Sequence, residues 1–336
     1  MNRSELLIDT LDSFGISAQV DKIEAGPTVT TYTLKPARGV RFRDIASLKA
    51  EISFALGAKV RINDNVIEVP NERRSIIQLT DMLDDDFQRT SPLSVALGAD
   101  NHGKDLYIDI AKLPHLLIAG QTGSGKSSCL HSIMLSLLSK RRDDVRLVMI
   151  DTKRVESARY RGVKNVTVVN YVSDASEWLS EVVRIMRNRY ALLDDCNAGT
   201  IAEYNEKRSP EQQVMGTIVI IIDEFEDLMM SDDSGEIHEL VCSIARLGRA
   251  CGIHLIIATQ RPSVKVITGQ IKANIPARIA FKTASSVDSR VIIDRSGAET
   301  LLGAGDGLLV SDGETKRFQG AYISADDMQR CIDRLK

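Results

Sequence analysis

Residues Gly120–Ser127 read GQTGSGKS, which fits the pattern G-x-x-x-x-G-K-[ST] of a phosphate-cradling loop, the P-loop. Its glycines let the backbone turn tightly, so that several N–H groups can point at one anion. The flanks give the match its weight. His115–Ala119 (HLLIA) reads as a buried strand running into the loop. Residues 128–139 place Leu130, Ile133, Met134, Leu137 and Leu138 at helical spacing. A strand, a glycine-rich turn and a helix N-terminus together form an anion site, because the helix dipole adds its positive end to the loop N–H groups. The expected nucleotide-binding stretch is therefore Gly120, Gln121, Thr122, Gly123, Ser124, Gly125, Lys126, Ser127 and Ser128. Lys126 is expected to reach the β and γ phosphates, and the Ser127 hydroxyl to sit on Mg²⁺.

Working outward, Ile218–Glu224 reads IVIIIDE. A buried strand here ends in two acids, and ligands of open α/β sheets bind beyond the carboxyl ends of strands. Asp223 is expected to hold the metal, directly or through water, and Glu224 to polarise a water for attack on the γ-phosphate. The acidic pair, and the lack of an N-K-x-D motif, favour ATP over GTP. Leu255–Pro262 (LIIATQRP) ends a third buried strand in Thr259 and Gln260. These are candidates to contact the γ-phosphate or the attacking water, although spacing alone fits a strand-end turn stopped by Pro262 equally well. Between Arg261 and Arg295 stand seven Lys or Arg (Arg261, Lys265, Lys272, Arg278, Lys282, Arg290, Arg295) against Asp288 and Asp294, a local charge of +5 in a chain of net charge −3. Such a stripe suits a phosphate backbone, or is a solvated surface. It carries no interleaved aromatics for base stacking, which disfavours single-strand readout. Arg246 and Arg249 follow a helical stretch, and an arginine from a neighbouring subunit often completes a phosphoryl-transfer site. On spacing alone they read more readily as surface arginines.

The 336 residues, 43% hydrophobic and 26% charged, describe an ordinary water-soluble protein of two or three domains. No uninterrupted apolar run is long enough to span a membrane. Five scattered cysteines (Cys129, Cys196, Cys242, Cys251, Cys331) form no CxxC pair, which argues against a zinc site and fits a reducing, cytoplasmic setting. Trp178 reads as helix packing, and His115, His131 and His254 as core or edge residues. Two domains are expected: an α+β domain over 1–90 and a P-loop domain over 91–336. In the first, strands are expected over 18–24 and 28–35, one helix over 42–56, and a hairpin of 59–63 with 66–69. Residues 72–88 read as a solvated connector. In the second, strands over 106–110, 115–119, 146–150, 166–170, 217–222, 254–258, 277–281 and 307–310 alternate with helices over 126–139, 174–193, 235–250 and 284–294, a doubly wound α/β layout. Several of these strands are continuously apolar, as in a parallel sheet covered on both faces.

PHLLIAGQTGSGKSS (114–128), IIIDEF (220–225), and the long block GIHLIIATQRPSVKVITGQIKANIPARIAFK (252–282) followed by VDSRVIID (287–294) and GAETLLGAGDGLL (297–309) resemble the FtsK/SpoIIIE family of double-stranded DNA translocases. The resemblance covers nearly all of residues 91–336, and more weakly residues 18–80. It implies a RecA-like P-loop ATPase core with a parallel-rich central sheet plus a smaller N-terminal α+β domain, assembled as a homohexameric ring that hydrolyses ATP between subunits and threads duplex DNA. Arg249 falls on the family's trans-acting arginine, Gln260 becomes the γ-phosphate sensor, and the DNA-contacting positions fall on Lys272 and Arg290, with Arg261 nearby. Two positions depart from the family pattern: Ser286 stands where a basic channel residue is usual, with Lys282 as its expected substitute, and Thr152 stands where Asp151-Thr152-Lys153 usually has proline. Family members often carry membrane helices before the motor and a winged-helix module after it. Neither is in this sequence, which leaves open a piece of a longer protein or a compact stand-alone motor. Two rival readings also stay open: a related ATPase for single-stranded conjugative DNA or protein export, and a slow ATP-gated DNA clamp.

Overall fold

The computed structural model describes residues 2–336, and the chain divides into two units, one running up to Ile77 and including 99–105, the other comprising 78–98 and 106–336. The first unit holds α1 (Arg3–Ser13), β1 (Ala18–Ala25), β2 (Val29–Pro36), α2 (Phe42–Ser47), α3 (Lys49–Ala55), β3 (Arg61–Asn63) and β4 (Val66–Pro70). Its strands form an antiparallel sheet in the order β1-β2-β4-β3. Leu7, Leu11, Leu34, Ile45, Ile52 and Ile67 make its core. The single helix expected over 42–56 is two, broken at Leu48.

In the second unit the chain runs α4 (Leu79–Met82), α5 (Asp85–Gln88), β5 (Ser94–Asp100), β6 (Asp105–Asp109), β7 (His115–Ala119), α6 (Lys126–Ser139), β8 (Val145–Ile150), β9 (Val166–Val169), α7 (Val172–Asp195) and α8 (Ile201–Lys207). It continues through β10 (Thr217–Ile222), α9 (Phe225–Met230), α10 (Glu236–Leu247), β11 (Ile253–Thr259), α11 (Gly269–Asn274), β12 (Ala277–Phe281), α12 (Ser286–Ile293), β13 (Asp306–Ser311), β14 (Glu314–Gly320) and α13 (Ala325–Asp333). The sheet order is β6-β5-β14-β13-β12-β7-β11-β10-β8-β9. From β12 to β9 every neighbouring pair is parallel, whereas β12-β13 and β13-β14 are antiparallel, the latter pair a hairpin. The result is a P-loop core with a mixed, parallel-rich sheet.

The central strands are buried end to end because they are runs of β-branched and aliphatic residues: HLLIA in β7, IVIII in β10 and IHLIIA in β11. α7 covers one face with Ala175, Leu179, Val182, Val183 and Met186, a helical stripe, and α10 adds Ile237, Val241 and Ile244. The three histidines expected in core or edge positions are all buried. The connector reading of 72–88 needs correction. Among its acids, Leu79, Met82 and Phe87 are fully buried, so α4 and α5 pack rather than float. Among the described residues no helix is long and apolar enough to cross a membrane.

A buried ion pair joins the antiparallel strands β13 and β14. The Arg317 guanidinium on β14 donates from Nε and Nη2 to the two carboxylate oxygens of Asp306 at the start of β13, at 2.8 and 2.7 Å. Asp306 Oδ2 also accepts the Leu302 N–H at 2.7 Å, which fixes the turn Leu302–Asp306. Removing one partner of such a pair leaves a buried charge and costs about 3–5 kcal/mol. Arg317→Met is therefore expected to lower unfolding free energy by about that much in urea titration; a loss under about 1 kcal/mol contradicts this role for the pair.

Candidate functional site

Four adjacent parallel strands, in the order β7, β11, β10, β8, end on one edge of the sheet, and each delivers a candidate group there. β7 feeds the P-loop, β11 ends in Thr259-Gln260, β10 in Asp223-Glu224, and β8 in Asp151-Thr152-Lys153. β11 lies between the P-loop strand and the strand carrying the acids, so Gln260 stands between the two motifs.

The loop itself is shaped by contact. Gly125 opens α6 at φ +122, a conformation L side chains rarely adopt, and a Cβ there would lie 2.7 Å from the backbone of Gly305. The Gly305 N–H in turn donates to the Ser124 carbonyl at 2.8 Å, so the turn fixed by Asp306 and Arg317 supports the P-loop from behind. The Gly120 N–H bonds Thr259 O at 3.3 Å and the Gln121 N–H bonds Lys282 O at 2.9 Å. No side chain caps α6, which leaves its first-turn N–H groups facing the cradle. Ser124 Oγ is buried and has no partner among the described residues.

Lys126 and Asp223 meet as a buried pair: the ammonium donates to Asp223 Oδ1 and to its backbone carbonyl, both at 2.7 Å. Burial outweighs the ammonium's effect and pushes the Asp223 carboxyl above the ordinary aspartate range. Glu224, almost fully buried, accepts from Thr259 Oγ1 at 2.8 Å and from the Gln260 N–H at 3.0 Å on Oε1, and from Lys153 Nζ at 3.2 Å on Oε2. The Gln260 side chain turns the other way, its Oε1 accepting the Thr122 hydroxyl at 2.9 Å. Gln260 thus bridges the P-loop and Glu224. For Lys153, burial pulls the ammonium down, but Glu224, Asp227 and Asp223 outweigh it and hold the pKa above the usual lysine range.

Two groups at this edge escaped sequence reading. His131, one turn after Ser127 on α6, bonds Tyr160 Oη and Glu156 Oε2, both at 2.8 Å. The His131 bond, opposed by burial, and a weaker hydrogen bond with Ser127 hold the Glu156 carboxyl down at about 2. In the sequence pattern Lys153 stands only as the neighbour of Thr152. No spacing rule joins residues 151–156 to Glu224; only the strand order does.

These residues fit a nucleotide triphosphate with a divalent ion. Uncapped N–H groups, the orphaned Ser124 hydroxyl and a cradle that a Cβ at Gly125 would fill all suit phosphate oxygens. Ser127 and Asp223 are the residues that would hold Mg²⁺. Among the described residues no cluster of three or more His, Cys, Asp or Glu forms a metal cage.

Other expected residues lie apart. Arg249, exposed beyond the end of α10, is on the opposite edge. Its charge acts on His115 and His254, at the amino ends of β7 and β11, and His254 is about 17 Å of strand away from Thr259. Of the basic stretch, Lys272 and Arg278 both bind Asp294, so Lys272 is an ion-paired, largely covered lysine rather than a free one. Arg261 and Arg290 are exposed, as are Lys265 and Arg295. Lys282 is half-buried. Ser286 opens α12, next to the capping Ser285.

The sequence pattern of the FtsK/SpoIIIE family matches residues 79–264, and that of the FtsK alpha domain matches residues 1–71. The chain is 42% identical over 352 residues to the DNA translocase FtsK of Halalkalibacterium halodurans, covering 98% of this chain and 44% of the relative. It is also 42% identical to the DNA translocase FtsK of Caldanaerobacter subterraneus subsp. tengcongensis, covering 100% of this chain and 49% of the relative. The chain thus spans less than half the length of these curated relatives. Among solved structures, the pCW3 conjugation coupling protein TcpA, in a monomer form with ATPγS, superposes with a TM-score of 0.71 at 24% identity over 99% of both chains. The cytoplasmic domain of the Thermomonospora curvata type VII secretion ATPase EccC gives 0.67 at 25% identity, covering 78% of this chain and 34% of that one. With a family match over more than half its residues and P-loop ATPases as its structural neighbours, the chain belongs to the FtsK/SpoIIIE family.

Proposed function

We propose that this chain is an ATP-hydrolysing motor that moves double-stranded DNA without reading its sequence, working as a ring of six copies. The observation that carries the reading is the meeting of Lys126, Asp223, Glu224 and Gln260 at adjoining strand ends, in a chain 42% identical over 98% of its length to proteins named DNA translocase.

In this reading the P-loop N–H groups and Lys126 bind the phosphates, and the ammonium leaves Asp223 to do so. Bound Mg²⁺ neutralises phosphate charge, with Ser127 and Asp223 as its protein partners. Glu224 takes a proton from the attacking water, and Gln260 links Glu224 to Thr122 on the P-loop, so that it can register whether the γ-phosphate is present. Arg249 lies too far from its own chain's phosphates to serve them, which supports a trans-acting role in a neighbouring copy. Arg261 and Arg290, with Lys282 beside them, contact DNA phosphates, while Lys272 exchanges Asp294 for DNA or stays a structural group. Phosphate contacts position the duplex but carry no base information. The coupling-protein and secretion-ATPase likenesses concern the fold. The identity to DNA translocases, four-tenths along nearly the whole chain, favours moving DNA over exporting protein or a passive clamp, and the basic stretch without interleaved aromatics favours a duplex over single strands.

Gly125→Ala is expected to weaken binding of a fluorescent ATP analogue at least tenfold, because the new Cβ meets the Gly305 backbone and φ +122 is strained. Unchanged affinity overturns the cradle. Glu224→Gln is expected to cut ATP turnover by two or more orders of magnitude. Duplex DNA is expected to stimulate wild-type turnover more than single strands. Arg261→Ala/Arg290→Ala is expected to reduce that stimulation and flatten its dependence on log[salt] by about one unit per lost phosphate contact. Turnover intact in Glu224→Gln, or stimulation by single strands alone, contradicts the reading.

A further inference from the structure

The segment after β8 enters the site from a side that the P-loop and the acidic motif do not occupy. Asp151 anchors it. Its Oδ1 accepts the N–H groups of Lys153 and Arg154, at 3.1 and 3.0 Å, and its Oδ2 those of Glu156 and Ser157, at 3.1 and 2.9 Å. Arg154, at φ +60, completes a tight reversal. The reversal delivers two side chains to the acids beyond β10: Thr152 Oγ1 donates to Asp227 Oδ2 at 3.0 Å, and Lys153 Nζ stands 3.2 Å from Glu224 Oε2 and 3.8 Å from Asp227 Oδ2.

The Glu224 carboxylate is therefore held by three donors from two segments: Thr259 Oγ1 and the Gln260 N–H at the end of β11, and Lys153 after β8. An ionised carboxylate accepts in about four directions. Three of these are filled and one remains. Only 2% of this side chain is exposed, and a buried carboxylate without a cation partner is costly. A base must also present one lone pair in a fixed direction to the water it activates. Lys153 supplies the charge partner, and Asp227 and Asp151 hold Lys153 in place. Among the described residues no comparable cation reaches Glu224: Lys126 is bound to Asp223, and Arg261 lies 3.9 Å from Glu226.

We infer that Lys153 is a positioning residue for ATP hydrolysis, fixing the Glu224 carboxylate so that its one remaining acceptor direction receives the attacking water. This rests on the ATPase reading above. In the step served, the water oxygen bonds the γ-phosphorus and the bond to the β,γ-bridging oxygen breaks, its electron pair leaving with ADP. The water's proton passes to Glu224. Lys153 acts through Glu224 and not on the nucleotide, so its loss slows turnover without weakening binding.

The test measures kcat, ATPγS affinity and thermal unfolding for wild type, Lys153→Ala, Lys153→Arg, Glu224→Gln and the Lys153→Ala/Glu224→Gln double variant, using the full chain. Lys153→Ala is expected to lower kcat roughly ten- to hundredfold, as small misplacements of a reacting group do. ATPγS affinity should stay within about twofold; the melting temperature should fall, because the buried Glu224 loses its cation, but the variant should remain folded at the assay temperature. Lys153→Arg should recover most of the loss. In the Glu224→Gln background, Lys153→Ala should change the residual turnover less than about twofold, because residues acting as one unit are not additive. The inference is overturned by wild-type kcat in Lys153→Ala, by a rise in kcat, by an affinity loss that accounts for the whole effect, or by an equal additional loss in the double variant. A wild-type chain that hydrolyses no ATP overturns the ATPase reading and the inference together, whereas normal wild-type turnover with a silent Lys153→Ala overturns the inference alone.

Discussion

The site depends on one close approach of backbone to backbone. Gly125 can sit at φ +122 against the Gly305 backbone only because it has no Cβ. From that contact follow the uncapped start of α6, the Gly305 N–H bond to Ser124 and the route by which β13 and β14 support the P-loop. The Asp306–Arg317 pair, far from any phosphate in sequence, matters because it fixes the turn that makes this contact. An anion cradle built from main-chain N–H groups has no side chains to adjust, so its precision comes from whatever the loop leans on.

A second constraint is electrostatic. The edge where the parallel strands end is dry enough that each buried charge must find a partner. Lys126 takes Asp223, Lys153 takes Glu224, and His131 takes Glu156. Gln260 touches both Thr122 and Glu224 and so links the P-loop to the acidic strand end. In the proposed reading phosphate would compete with Asp223 for Lys126, while Lys153 stays on Glu224.

Much of this was legible in sequence where the pattern is local. The P-loop, HLLIA and IVIIIDE announce themselves because one strand, one turn and one helix suffice, and α6, β7, β10 and β12 lie where apolar spacing puts them. Reading failed where partners decide. β14 (ETKRFQG) looks like a polar loop, yet its Phe318 is buried and its Arg317 is neutralised by Asp306. α4 and α5 hide three buried apolar residues in an acidic stretch. The basic stripe looked stronger than it is, because counting charge along the chain cannot see Asp294 take up both Lys272 and Arg278. Lys153 lies 71 residues from Glu224, and only the placing of β8 beside β10 joins them.

The central claim, that this fold converts ATP hydrolysis into movement along duplex DNA, is tested most directly by displacement of a triplex-forming oligonucleotide from linear duplex DNA, with Lys126→Ala as control. The account predicts ATP-dependent displacement by the wild-type chain and none by the variant. DNA-stimulated ATP hydrolysis without displacement would contradict it.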